Sequence, residues 1–457
     1  MGKLLFRLRF TPQLPLRYLA SLGRILLLVI LLSNISTISL LPEQAFDLQL
    51  SALTAGRRFN WLTWQSEVLA EEALWWLNGR PVPGDPDLPL AEVAQASLSV
   101  VEAANPVESP KQAVLTFIER QREMHTLKEQ IRARYAQLSL HPAPSPALAK
   151  LEAQLAALQQ TQRAAAPQIE RILAGHVSQV LINEGFGLRG EAWPPVTFRF
   201  SEMPTFLIVS ERDKISQHRS MYLLPGVPEG ERARLEAEIE ATLNVSALVD
   251  NVGGIGSWPT MIADPQSLRS VLDTIAHEWT HNYLEFYPLG QHYSASRDLT
   301  TMNETVASLV GGEVADLVLA RFYPELLPPP APSPPGGVEQ PEITPPPTEE
   351  TFPQAMRRIR LRVDDLLAQG LVEEAEAFME AERQKLVTRG HYLRKLNQAY
   401  FAFHGSYATG PASVDPIGPW MLQLRERHGS LKSFTDQMAQ MTRLDDLLLA
   451  IQEGGGE

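Results

Sequence analysis

The stretch Thr274–Leu284, "TIAHEWTHNYL", sets His277 and His281 four residues apart, with Glu278 directly after the first. Residues four apart share one face of a helix, so the two imidazoles can reach a single ion. Neutral imidazole is a good zinc ligand. The chain contains no cysteine, so a metal has to be held by His, Asp or Glu. A glutamate one residue after the first ligand stays near the ion without binding it and can take a proton from the attacking water. Taken alone, the stretch also reads as two structural histidines on an ordinary helix.

The following helical stretch, "LTTMNETVASLVGGEVADLVLARFY", supplies a third donor. Glu304 lies 23 residues after His281, and a helix–turn–helix returns the chain so that it can face the two histidines. Two histidines and one glutamate, with a fourth position left to water, make a catalytic rather than a structural zinc site. Asn303, immediately before Glu304, is a candidate to support that shell. Ala307, Ser308, Gly311 and Gly312 follow. Two glycines inside a helix cost about 1 kcal/mol each relative to alanine, which points to a packing reason. The plain alternative leaves Glu304 as a solvated acid in a first turn, where acids are favoured anyway.

Other residues suit supporting roles. Asp273, one turn before His277, can orient a ligand imidazole or simply be an exposed helix acid. Asn397, Tyr400, His404 and Tyr407 are spaced three, four and three. They share a face if the helix persists past Gly405, and a phenol or imidazolium there could stabilise a developing oxyanion. The equal alternative is an amphipathic helix with its tyrosines in the core. In "ALVDNVGGIGSWPTMI", a strand opened by Gly253, Gly254 and Gly256, the residues Gly254, Ile255 and Gly256 either let a peptide substrate approach or form a bulge. His292, in "PLGQHYSAS", reads as a loop histidine.

The elements around these residues are mostly helical. Residues 45–190 carry helical pattern, with "HPAPSP" (His141–Pro146) separating two long helices, and Leu148, Leu151, Leu155 and Leu158 form a stripe at core spacing. An antiparallel helical hairpin is the simplest reading. Strand candidates "VTFRF", "TFLIVS" and "MYLL" and the helix "ERARLEAEIEATL" fill residues 195–260. Asp264 and Pro265 suggest the N-cap and first position of the His277 helix, which should reach about Tyr287. Residues 324–353 hold 12 prolines, a composition that packs no element. Helical pattern resumes over 354–457.

The start of the chain is different. Residues 1–42 carry five basic side chains and no acid, and lead into Ile25–Leu41, 17 residues without a charge. That is about the lower limit for crossing a bilayer. With the basic residues first, residues 1–44 read as a cytoplasmic segment and transmembrane anchor, or alternatively a secretory signal, and the body lies outside the cytoplasmic membrane. The rest of the chain has 35 basic against 53 acidic residues. Such a body gives no electrostatic support for nucleic-acid binding.

"HEWTH" followed by "NETVAS" resembles the gluzincin group of zinc metallopeptidases, which includes thermolysin and aminopeptidase N. "LNQAYFAFHGSYA" is similar to a later helix of bacterial aminopeptidase-like proteins. The resemblance covers roughly residues 195–323. It implies a zincin-like catalytic core over 191–323, Zn2+ held by His277, His281 and Glu304, Glu278 as base, and a tyrosine as oxyanion donor. Two departures stand out: "GGIGSW" occupies the place of the exopeptidase strand, and Ser308 that of an acid four residues after the ligand. The expectation is an α+β, mostly helical chain. It comprises an N-terminal membrane helix, a helical hairpin and a zincin-like domain with a small mixed sheet, acting as a zinc peptidase on a peptide or protein substrate. A zinc-containing binding protein that keeps the fold without activity is the rival.

Overall fold

The computed structural model describes residues 42–77, 109–138, 146–264, 267–327, 350–405 and 416–453. The apolar run 25–41, most of the proline-rich insert and Tyr407 lie outside them. Among the described residues no helix is long and apolar enough to cross a membrane. The chain divides between Gly56 and Arg57 into two units. Residue 44, where the expected anchor segment ends, lies within helix α1 (Pro42–Leu53) of the first unit.

The second unit is α+β and mostly helical. In chain order it begins with α2 (Trp61–Leu77), α3 (Pro110–Leu138) and α4 (Pro146–Leu181). Helices α3 and α4 pair antiparallel. Gln154 reaches Glu123, while Gln162, buried, donates to the Phe117 carbonyl at 3.0 Å and to Gln121 at 3.2 Å. Buried amides so paired cost little, and they fix the register of the two apolar faces.

Eight short strands follow: β1 (Gly187–Leu188), β2 (Glu191–Ala192), β3 (Phe198–Phe200), β4 (Pro204–Ser210), β5 (Arg219–Pro225), then helix α5 (Glu229–Leu243), and β6 (Ser246–Asn251), β7 (Gly254–Ile255) and β8 (Thr260–Ile262). In place of the single small mixed sheet expected, β1 and β2 form a hairpin, β5-β4-β6 is an antiparallel sheet, and β3-β8-β7 is a mixed one. The stretch read as one strand, "ALVDNVGGIGSWPTMI", is three. β6 pairs with β4, whereas β7 and β8 belong with β3. The chain changes sheets at Val252 and Gly253, where the hydrogen-bonding partner changes.

The helices that carry the histidines and Glu304 come next: α6 (Leu268–Leu284), the single turn α7 (Pro288–Gln291) and α8 (Arg297–Phe322). Helix α6 is not capped by Asp264. Ser267 and Ser270 form a reciprocal capping box three residues later, and the helix ends at Leu284, short of Tyr287. Ser296 caps α8. The last helices are α9 (Phe352–Ala368), α10 (Val372–Thr388), α11 (Gln398–His404), α12 (Ile417–Arg427), α13 (Leu431–Ala439) and α14 (Leu444–Glu453). Both flanks of the proline-rich insert are ordered: Pro324–Leu326 is a short turn, and Thr351 makes a capping box with Gln354 for α9.

Two apolar cores result. One joins α3, α4, α6, α8 and the last three helices. The other joins β4 and β6 to α9, α10 and α11. The C-terminal region expected as one helical part is therefore shared between two cores. Glu236 of α5, 1% exposed, ties the second together: it accepts the Val249 N–H at 2.6 Å and two bonds from Arg394.

At the end of α8, His176 stacks on Phe322 with ring centroids 3.9 Å apart, and its Nδ1 lies 3.2 Å from the Tyr323 hydroxyl. Burial pushes the His176 ring down to about 4. The unfolded chain takes up this proton near pH 6.5, whereas the folded chain resists it down to about pH 4. The stability His176 contributes is thus full above pH 6.5 and is lost as the pH falls toward 4. Urea midpoints measured across that window should fall with pH in the wild type and fall less steeply in His176→Gln.

Candidate metal centre

Helix α6 is clamped in rotation by its buried face. The Trp279 indole N–H donates to the Pro194 carbonyl at 2.7 Å, and the Tyr283 hydroxyl donates to Asp436 at 2.8 Å. With Trp279 and Tyr283 turned into the core, His277, Glu278 and His281 face a cavity of about 760 Å³. The two Nε2 atoms stand 3.1 Å apart. Glu304 of α8 completes a triangle, its Oε2 lying 3.5 Å from His277 Nε2 and 3.6 Å from His281 Nε2. Glu304 is 6% exposed, which rules out the solvated first-turn acid.

These three residues form a group that could hold a metal ion, and their chemistry fits one. Glu304 Oε2 is buried and accepts no hydrogen bond, a costly state for a carboxylate oxygen unless a cation faces it. The other Glu304 oxygen accepts from the Tyr293 hydroxyl. His281 Nδ1 lies 2.7 Å from Asn303 Oδ1. Because Asn303 Nδ2 is directed at the Leu289 carbonyl, 3.4 Å away, its oxygen faces the ring. His281 then donates from Nδ1 and presents the Nε2 lone pair to the cluster. Asn303 thus occupies the supporting position expected of it.

The charges are strongly coupled. Burial alone would raise the Glu304 carboxyl, but the two imidazoles reverse this and hold it well below the usual carboxylate range. Burial works against a charge on His281. The combined pull of Glu304, Glu278 and Asn303 outweighs it and lifts the ring to about 9.

Helix–helix distance is set at Gly311. A Cβ there would lie 2.6 Å from Asp273 Oδ1 and 3.2 Å from His277 Cβ. Gly312 has open space beside it, so one of the two expected packing glycines fulfils that role. Asp273 lines the cavity against Gly311. Burial raises its pKa, opposed by His277 and Arg269.

Gly254 and Gly256 make a second close approach. A Cβ on Gly254 would fall 2.5 Å from Glu278 Oε1, and one on Gly256 would fall 3.3 Å from Glu278 Oε2 and 3.2 Å from His281 Cβ. The backbone these glycines admit is their own, laid against α6, and the Gly256 N–H donates to the Glu278 carboxylate. Glu278 is 7% exposed, and burial pushes its pKa up against the opposing pull of His277 and His281. Gly254, Ile255 and Gly256 all line the cavity.

The three expected donors separate. His404 lines the cavity, its Nε2 3.0 Å from Asp250 Oδ2. Tyr400 does not line it: the ring packs into the second core beside His404, and burial pushes the phenol up to about 12. Helix α11 ends at His404 with Gly405 as its C-cap, and Tyr407 lies beyond the described residues. Asn397 is the N-cap of α11, bonded to the Tyr400 N–H and the Ala247 carbonyl, rather than a member of a cavity face. Two cavity phenols went unread in the sequence. Tyr222 of β5 lines the wall, its pKa raised by burial and by Glu278 and Glu304. Tyr293 follows His292, which is exposed and bonded to the Pro288 carbonyl as a loop histidine would be. Neither carries a local sequence signal: β5 shows no alternation that singles out Tyr222, and Tyr293 lies in a connection between helices.

Comparison with protein-family models, curated proteins and solved structures finds no match to this chain.

His281→Ala removes one corner of the triangle and should abolish tight binding of a divalent metal, read by elemental analysis after gel filtration. Gly254→Val should lower the melting temperature, because its side chain meets the Glu278 carboxylate and Thr274. A mutant chain that still carries one equivalent of tightly bound metal after His281→Ala would disprove the ligand set.

Proposed function

We propose that the chain is a zinc-dependent peptidase. The observation that carries this reading is the triangle of donor atoms, with edges of 3.1, 3.5 and 3.6 Å. A tetrahedral ion with bonds of about 2.1 Å, the length of zinc–imidazole and zinc–carboxylate bonds, separates its ligands by about 3.4 Å. Two imidazoles and one carboxylate leave a fourth position open, as catalytic zinc sites do. When bound, zinc acts as a Lewis acid on a carbonyl oxygen and lowers the pKa of water.

The remaining steps fall to the chain's own groups. Glu278 is positioned by the Gly256 N–H, and its burial makes it a better proton acceptor than a solvated carboxylate. It takes the proton of the attacking water and returns it to the leaving nitrogen. His404, which lines the cavity and is bonded to Asp250, is the candidate donor to the oxygen of the tetrahedral intermediate. The cavity lies within the size range of small-molecule and peptide sites. The basic N-terminus and the apolar run 25–41 support a single-pass anchor with this body outside the cytoplasm.

Glu278→Gln tests the reading, because it removes the proton acceptor and leaves the three ligands in place. With a mixed peptide library read by mass spectrometry, cleavage should fall by about 10²–10⁴-fold, the usual worth of a general base. Zinc content and melting temperature should stay near wild type. Equal cleavage by both proteins refutes the mechanism, and cleavage by neither favours a zinc-containing binding protein.

A further inference from the structure

Glu304 has two carboxylate oxygens, and the fold treats them differently. Oε2 is buried, faces both histidines and accepts no hydrogen bond. Oε1 accepts from the hydroxyl of Tyr293. Tyr293 belongs to neither metal helix. It sits in the connection between them, and three features put it there. Gly290 packs so closely on the end of α6 that a Cβ would lie 2.2 Å from the Leu284 carbonyl oxygen. This turns the chain back toward α8. The Thr300 hydroxyl then donates to the Tyr293 carbonyl at 2.6 Å, fixing the backbone from α8. The ring stands edge-on to His281, centroids 6.2 Å apart.

We propose that Tyr293 is a positioning residue that holds Glu304 as a one-oxygen ligand. The inference rests on the metal site proposed above. A carboxylate free to rotate can offer an ion one oxygen or both. The phenol O–H engages the lone pairs of Oε1 and stops that rotation, so that Oε2 alone points at the place where the two Nε2 atoms converge. The consequence is a low coordination number: three protein atoms, with a position left for substrate or water. Without the hydroxyl, Oε1 is released to swing toward the ion. Coordination then rises, and the open position is lost.

The test is metal binding by the full chain, with Tyr293→Phe as the variant. Tyr293 is 38% exposed, so removal of its hydroxyl leaves no sealed cavity. Zinc affinity, measured by competition with a chelating dye, should weaken by about 10–100-fold, the usual effect of deleting a partner of a ligand. Replacement of zinc by cobalt(II) adds a readout that a merely structural role would not move. The wild type should show the intense visible bands of four-coordinate cobalt, and Tyr293→Phe should show weaker bands of higher coordination. Thr300→Val, which loosens the Tyr293 backbone and leaves phenol and ligands intact, should shift both readouts the same way by a smaller amount, and it carries the test if Tyr293→Phe fails to fold. Affinity within twofold of wild type together with an unchanged cobalt spectrum overturns the proposal. Failure of the wild type itself to bind zinc or cobalt is a separate result: it refutes the metal site, and this inference with it.

Discussion

Everything at the centre depends on how closely α6 and α8 approach. His277 and His281 come from one helix and Glu304 from the other, so their separation is an interhelical distance before it is a property of any side chain. Gly311 admits α8 to within contact of His277 Cβ and Asp273. Around it, Ala307, Val310 and Val314 on α8 and Leu272, Ile275 and Ala276 on α6 are fully or almost fully buried. Close-packed interiors resist displacement. The same packing that stabilises the helix pair therefore fixes the donor triangle, and a side chain larger than hydrogen at 311 would disturb both.

That rigidity sets the spacing of the three donor atoms. The two Nε2 atoms stand within hydrogen-bonding distance, 3.1 Å apart, and Glu304 Oε2 lies buried beside both. They are held together by apolar burial on the far faces of their helices and by neighbours that occupy their other atoms: Asn303 on His281 Nδ1, and Tyr293 on Glu304 Oε1. Glu304 Oε2 and the two Nε2 atoms converge on one place. A cation bound there would meet all three donors at once, and its binding would stabilise the fold by mass action.

The donor set was legible in the sequence because helical periodicity alone places His277 beside His281, and because a helix–turn–helix brings the Asn303–Glu304 pair back over them. The helical hairpin was legible for the same reason. What failed depended on phase and path rather than on residue type. Asp264-Pro265 has the chemistry of a helix start, but the reciprocal Ser267–Ser270 pair lies closer to the first buried residue of α6. Tyr400 and His404 share a helix, yet the Asn397 cap hung on the Ala247 carbonyl rotates that helix so that Tyr400 enters the core and His404 meets the cavity. Gly254 and Gly256 announced a close approach and not its partner, which is Glu278. Tyr293 carries no local signal, since its position depends on a carbonyl at the end of one helix and a hydroxyl at the start of the next.

The β3-β8-β7 sheet packs into the first core and the β5-β4-β6 sheet into the second, and residues of both line the cavity. The chain crosses between them twice, at residues 201–203 from β3 to β4 and at Val252 and Gly253 from β6 to β7. Both crossings are short, and they join the same pair of sheets. Tyr222 and Asp250 belong to the β5-β4-β6 sheet, with His404 bonded to Asp250, and all but Asp250 line the cavity. Gly254 and Ile255 of β7 line it too, beside Glu278 and the three candidate ligands. A substitution on β5 can therefore reshape the cavity wall while the donor triangle, carried by α6 and α8, keeps its spacing.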